Sequence, residues 1–269
     1  MLYFYSIILA LVQALTEFLP VSSSAHLIIF HQIFTAPELD SLTFDVMLHL
    51  GTFLAILFYF WPEVVKLFKG FFSWKPEGEN QIYKKLSWLI IVSAIPAALI
   101  GYVYGDFIEE GSRSMHWLIW PMIGGAILLM LVEKFSKQNK QINQLNFSKA
   151  LYIGVAQILA FMPGTSRSGI TMTAGMQLGL ERKEAARFSF LMSLPILFGA
   201  ALQKITKVHF GDLPPHLFLA FILGIVVSTV AGYMVIKYFL QFLMNHSLTY
   251  FAVYRFILAG ILILLLFFR

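Results

Sequence analysis

The chain has 269 residues, of which 59% are hydrophobic and 12% charged, whereas a soluble domain carries about 25% charge. A soluble fold of this length could not cover so much apolar surface, so lipid is part of its solvent. The formal charge of +5 forms no basic stripe interleaved with aromatics, which argues against a nucleic-acid partner, and the absence of cysteine excludes disulfides and thiolate metal sites.

In chain order, residues 2–19 are apolar and lack the basic leader and small-residue cleavage site of a signal peptide, so they are expected to be mature structure. They run into PVSSSAH (20–26) and a second short apolar arm, 27–34. A bilayer core of roughly 30 Å takes about 17–25 apolar residues per helix. Such runs follow at 44–61, 86–104 and 117–132, and again at 188–202, 217–236 and 250–268, which predicts six spans. Pro96 and Pro195 fall inside spans, where neighbouring helices must satisfy the freed carbonyls. Between the two sets lie a polar segment, 134–149, and a second interrupted stretch: an apolar arm at 150–162, PGTSRSG (163–169), and a further arm at 170–180.

Each interrupted stretch has two short arms and a proline-led turn, the pattern of a re-entrant helix–loop–helix, which survives at depth only where it lines a polar cavity. Aligning Pro20 with Pro163 puts Phe18 on Phe161 and Ser22–Ser23 on Thr165–Ser166. Phe44, Leu48 and Leu50 then fall near Phe188, Met192 and Leu194, at an offset of 143 or 144. Three spans per half is an odd number, so the second half enters from the opposite side. The expected fold is an all-α integral membrane protein of six transmembrane helices plus two re-entrant hairpins in two inverted repeats. It forms one membrane domain, 1–269, with repeats at about 1–136 and 147–269.

With the N-terminus outside, thirteen basic residues share one side: Lys66, Lys69, Lys75, Lys84, Lys85, Lys134, Lys137, Lys140, Lys149, Arg182, Lys183, Arg187 and Lys237. Four take the other: Arg113, Lys204, Lys207 and Arg269. The positive-inside rule makes the first side cytoplasmic, and PVSSSAH then enters from outside.

Ionisable groups inside membrane segments are few: Glu17, His26, Asp45, His49, Arg167 and Arg255. If the two loops meet, Glu17, Ser22, Ser23, Ser24, His26, Ser166, Arg167 and Ser168 share a pocket suited to an anion. Arg167 brings a fixed fork of donors for phosphate oxygens. The backbone around Gly164 and Gly169 and the hydroxyl of Thr165 add donors, and the arm beginning near Gly169 aims its positive end at the same place. Glu17 and His26 supply proton transfer and a serine supplies a nucleophile, together the parts of a phosphoryl transfer. Plainer roles compete: serine-rich turns cap helices, and Glu17 and Arg167 neutralise one another. Asp45 and His49 share a helix face at i, i+4, and Arg255, near a helix end, either snorkels or reaches the pocket. PGTSRSG lacks the lysine of a nucleotide-binding P-loop.

QALTEFLPVSSSAH (13–26) together with PGTSRSG resembles the bacterial undecaprenyl-diphosphate phosphatase family linked to bacitracin resistance, and the resemblance extends to AVYRFILAGI (252–261). It implies hydrolysis of undecaprenyl diphosphate to the monophosphate at the outer face of the bacterial plasma membrane, recycling the cell-wall lipid carrier. The family's Glu/Gln-x-x-x-Glu element falls on Gln13 and Glu17, its serine pair on Ser22 and Ser23, its motif histidine on His26 and its loop arginine on Arg167. Dependence on a divalent cation, magnesium or calcium, is likewise implied, with Glu17 as a ligand. Gln13 stands where the family often has an acid, and Ala25 where it often has glycine.

The expected catalytic set is therefore Glu17, Ser23, His26 and Arg167. Gln13, Ser22, Ser24, Gly164, Thr165, Ser166, Ser168 and Gly169 are expected to bind substrate. Ser23, His26 and water stay open as the nucleophile. Expected partners are a polyprenyl diphosphate and membrane lipids, with assembly into a homo-oligomer left open. The rival is a secondary transporter or lipid flippase, since inverted repeats with broken midplane helices serve those too.

Overall fold

A computed structural model describes residues 1–33, 39, 42–111, 115–206 and 214–267. The described residues form eleven α-helices: α1 (Leu2–Phe18), α2 (Ser23–Ile33), α3 (Leu42–Tyr59), α4 (Trp61–Phe72), α5 (Glu79–Gly111), α6 (Met115–Phe135), α7 (Phe147–Gln157), α8 (Arg167–Gln177), α9 (Arg182–Ile205), α10 (Pro215–Phe242) and α11 (Thr249–Phe267). Two short 3-10 turns, Ile142–Gln144 and Ile158–Phe161, flank α7. No strand occurs among the described residues, only one backbone bridge between Lys140 and Leu180.

Among the described residues, five helical segments are long and apolar enough to cross a membrane: Glu79–Tyr104, Trp117–Phe135, Arg182–Gln203, Pro215–Phe242 and Thr249–Leu266. The span expected over 44–61 differs. It is α3, which qualifies only together with α4, and the pair is bent by 79°. The break falls at Phe60, just before Pro62 in the first turn of α4, where a residue without an N–H is tolerated at a new helix start but not inside a continuous one. Leu99, Val230, Ile257 and Leu264 are each more than half exposed. Such outward apolar faces on long helices are lipid-facing surface.

Lipid offers helices no hydrophobic drive to associate, so close approach has to come from small residues. At Gly51 of α3 an added Cβ would come within 2.7 Å of the Ile225 carbonyl of α10. The same seam carries hydrogen bonds from Ser228 Oγ to the Leu48 carbonyl (3.0 Å) and from Thr229 Oγ1 to the Gly51 carbonyl (3.1 Å). Across the molecule, Gly154 of α7 lies equally hard against the Ser93 carbonyl of α5.

The predicted basic side is one end of the bundle. There Arg187 grips Glu63 through Nη2 (2.6 Å) and Nε (3.1 Å), and Arg182 Nε donates to Glu133 at 2.7 Å. Lys85 reaches the Asn143 carbonyl at 3.0 Å and Lys140 the Leu178 carbonyl at 2.9 Å. Arg113, Lys207 and Arg269, expected on the opposite side, lie outside the described residues.

Candidate active site

The two interrupted stretches fold as helix pairs, α1–α2 and α7–α8, and their turns meet. Ser22 and Ser166 both take positive φ, 74° and 70°, which non-glycine residues rarely adopt. Each then caps the following helix: Ser22 Oγ accepts from Ala25 N (3.4 Å) and Ser166 Oγ from Gly169 N (3.1 Å). Each also lies beside the serine two positions on, Ser24 at 3.1 Å and Ser168 at 3.2 Å. The turns therefore match at an offset of 144, Ser22 on Ser166, one residue later than the proline alignment that set Ser22–Ser23 on Thr165–Ser166. The second turn has one more residue after its proline, and Gly164 absorbs it at φ 94°, where an added Cβ would strike the Leu118 carbonyl.

Glu17, 6% exposed at the end of α1, joins the turns. Its Oε1 accepts from Arg167 Nη2 at 2.8 Å, and its Oε2 accepts from Ser23 Oγ at 2.6 Å and Gln13 Nε2 at 3.2 Å. His49 Nε2 stands 3.5 Å from the same Oε2, while its Nδ1 donates to the Asp45 carbonyl at 2.8 Å. Ser168 Oγ closes the contact between the turns by donating to the Leu19 carbonyl at 3.0 Å. Glu17, Ser22, Ser23, Ser24, His49, Gln157, Ser166 and Arg167 line a cavity of about 170 Å³, with Ala97, Phe161 and Leu197 among its apolar walls.

Five predicted site residues serve the turns rather than the cavity wall. Gly164 and Thr165 are buried in the second turn. Ser168 and Gly169 are tied into the loop contact and the α8 cap, and Gln13 reaches the pocket only through Glu17. His26 also stands apart. Its Nδ1 is 2.7 Å from the Ser22 carbonyl and so carries the proton, which makes Nε2 the acceptor for Tyr254 Oη at 2.7 Å in the neutral ring. Both nitrogens are thereby occupied.

Arg255 does not snorkel. It is 1% exposed and donates to four backbone carbonyls: Met122 (3.1 Å), Pro121 (3.0 Å), Gly164 (3.0 Å) and Pro20 (3.5 Å). One planar guanidinium thus holds both turns to α6, in the space Gly125 leaves by having no side chain. Asp45 pairs with His31 at 2.9 Å instead of entering the cavity.

Sequence reasoning undervalued His49 and passed over Gln157, Tyr254 and the fixing role of Arg255. Only the i, i+4 spacing of Asp45 and His49 gave a signal.

The two broken helix pairs of this helical membrane protein thus bring an arginine, a carboxylate and serine hydroxyls to one cavity, a set of groups suited to a phosphate ligand. Residues 6–261 match the family described as "Bacitracin resistance protein BacA", and the chain belongs to that family. It is 38% identical over 265 residues to a protein of Rubrobacter xylanophilus named undecaprenyl-diphosphatase, covering 97% of each chain. It is 40% identical over 259 residues to a protein of the same name from Moorella thermoacetica, covering 96% of this chain and 95% of the relative.

Proposed function

We propose that this protein is an undecaprenyl-diphosphate phosphatase of the bacterial plasma membrane, releasing the terminal phosphate and returning undecaprenyl phosphate. The observation that carries the reading is the Glu17 carboxylate, which joins Arg167 on one turn to Ser23 on the other in a single cavity. The end-to-end likeness to proteins named undecaprenyl-diphosphatase supplies the substrate.

The fold is read as two inverted repeats, about 1–136 and 147–269, with α1–α2 and α7–α8 as re-entrant hairpins entering from opposite faces. In support, α8 ends beside Lys140 at the basic end, whereas α1 begins near the start of α10, where Ser6 Oγ donates to the Ala220 carbonyl at 2.7 Å. With the basic end cytoplasmic, α1–α2 opens to the outer face and the site takes its substrate from there. Asn139→Cys and Pro214→Cys should then label from opposite sides of intact cells. Labelling of both by an impermeant reagent overturns the topology.

In the working mechanism the incoming phosphate draws Arg167 from Glu17, because a guanidinium fork matches two phosphate oxygens as well as it matches a carboxylate. The freed carboxylate takes the Ser23 Oγ proton across the existing 2.6 Å hydrogen bond. Ser23 Oγ bonds to the terminal phosphorus, and the bond from phosphorus to the bridging oxygen breaks, leaving undecaprenyl phosphate. Water then attacks the phosphoserine, releasing phosphate and restoring the hydroxyl. Arg167 and the unpaired N–H groups opening α8 hold the charge as it shifts in the transition state.

A divalent cation, magnesium or calcium, fits only as a companion of the substrate. No group of three His, Cys, Asp or Glu side chains is placed to hold a metal among the described residues, and Glu17 is the one carboxylate on the cavity wall. Glu17 would hold the ion, which would neutralise diphosphate charge there.

Purified protein in detergent, given undecaprenyl diphosphate and magnesium or calcium, should release one phosphate per lipid. No release with any divalent cation turns the reading toward a transporter or lipid flippase.

A further inference from the structure

Gln157 ends α7 and is 2% exposed, and both atoms of its carboxamide are buried without a hydrogen-bond partner. Because both ends are unpaired, either orientation of the amide leaves one donor and one acceptor open. It also lines the cavity that holds Glu17, Ser23 and Arg167. A buried amide left unpaired on both sides destabilises the protein that carries it, so it calls for a partner that arrives later.

Its backbone is fixed from two directions. One turn earlier, Gly154 is pressed against the Ser93 carbonyl of α5, and immediately afterwards the chain tightens into the 3-10 turn Ile158–Phe161. Gln13 spends its amide N–H on Glu17, and Glu17 is further taken up by Arg167 and Ser23, so no carboxylate of the wall anchors the Gln157 amide. A second unpaired donor, Arg167 Nε, belongs to a residue on the same wall.

We propose that Gln157 is a substrate-binding residue whose amide N–H donates to the terminal phosphate and whose carbonyl holds the water that hydrolysis consumes. Ionised phosphate oxygens only accept, so they satisfy the N–H and leave the carbonyl to an O–H donor. This rests on the phosphatase reading.

The test compares wild type with Gln157→Leu and Gln157→Glu in detergent, measuring kcat, KM, melting temperature, and the rise in melting temperature on adding inorganic phosphate. Leucine removes both polar atoms, so kcat should fall and KM rise, each about tenfold, while the melting temperature stays level or rises. Glutamate keeps an acceptor but sets a negative charge against phosphate, so it should give the larger KM and lose the stabilisation by phosphate. Variants that keep both constants within about twofold of an active wild type overturn the proposal. So does a Gln157→Leu protein whose activity falls together with its melting temperature, since that marks a structural amide. A wild type inert toward the diphosphate overturns the phosphatase reading itself, whatever the variants do.

Discussion

The two helix hairpins share one turn design and differ in what they place on it. In α1–α2 and α7–α8 alike, a serine at positive φ caps the second helix and lies beside another serine two positions on. After the turns, where the offset is 144, Ser23 matches Arg167; before the prolines, where it is 143, Glu17 matches Ala160 and Gln157 matches Ala14. The first hairpin therefore brings the carboxylate and the hydroxyl bonded to it, and the second brings the cation and an unpaired amide. Neither is a site alone. Similar turns hold the backbone, and different residues around them supply complementary chemistry.

The largest effects should come from the first hairpin. Glu17→Gln and Ser23→Ala should each abolish phosphate release; Ser23→Ala should leave the melting temperature within a few degrees, whereas Glu17→Gln leaves Arg167 without its counter-charge and should lower it. Gln13→Glu should keep activity, since the family carries either residue there. If Ser23→Ala retains near-normal turnover, water attacks directly and the hairpins share the nucleophilic work differently.

Arg167→Lys tests the second hairpin. Lysine keeps the charge but not the fork, so phosphate release should fall on the order of 100-fold, comparable to losing a transition-state donor. A stable and fully active lysine variant would remove Arg167 from the catalytic list and leave it as the structural partner of Glu17.

Arg255 joins the hairpins, so its loss should affect both. Arg255→Lys reaches fewer of the four carbonyls and should destabilise the protein by about 2–4 kcal/mol, with a parallel loss of turnover from misplaced turns. Adding a side chain at Gly125 should do the same through collision with the guanidinium. Denaturation in detergent checks both.

The smallest effect belongs to Arg182→Lys, at the basic end and away from the cavity. Losing the Arg182 pairing with Glu133 should cost about 1 kcal/mol or less and leave phosphate release unchanged. A large loss of activity there would link the basic end to the site.

Much of this was legible in the sequence because lipid imposes long, uniform constraints. Composition alone excluded a soluble fold, and five of the six expected spans correspond to α5, α6, α9, α10 and α11. The two polar motifs were visible as interruptions in apolar sequence, and the cost of burying Glu17 or Arg167 alone made their neutralisation one of the competing readings.

Other features were not legible, because they depend on packing between distant segments. The 79° break between α3 and α4 follows a proline whose position was plain but whose consequence depends on neighbouring helices. Whether His26 or His49 faces the cavity depends on helix rotation, which α2 and α3 settle by packing against different partners. Periodicity put Arg255 near a helix end. Only the meeting of both turns with α6 supplied the carbonyls that satisfy a buried guanidinium. The sequence by itself determined the lipid solvent, the helices and the two reactive motifs, since each is written in local composition. The tertiary structure alone decided which polar atoms are paired and which stay open to a ligand, since pairing is settled by residues more than a hundred positions apart, as between Glu17 and Arg167.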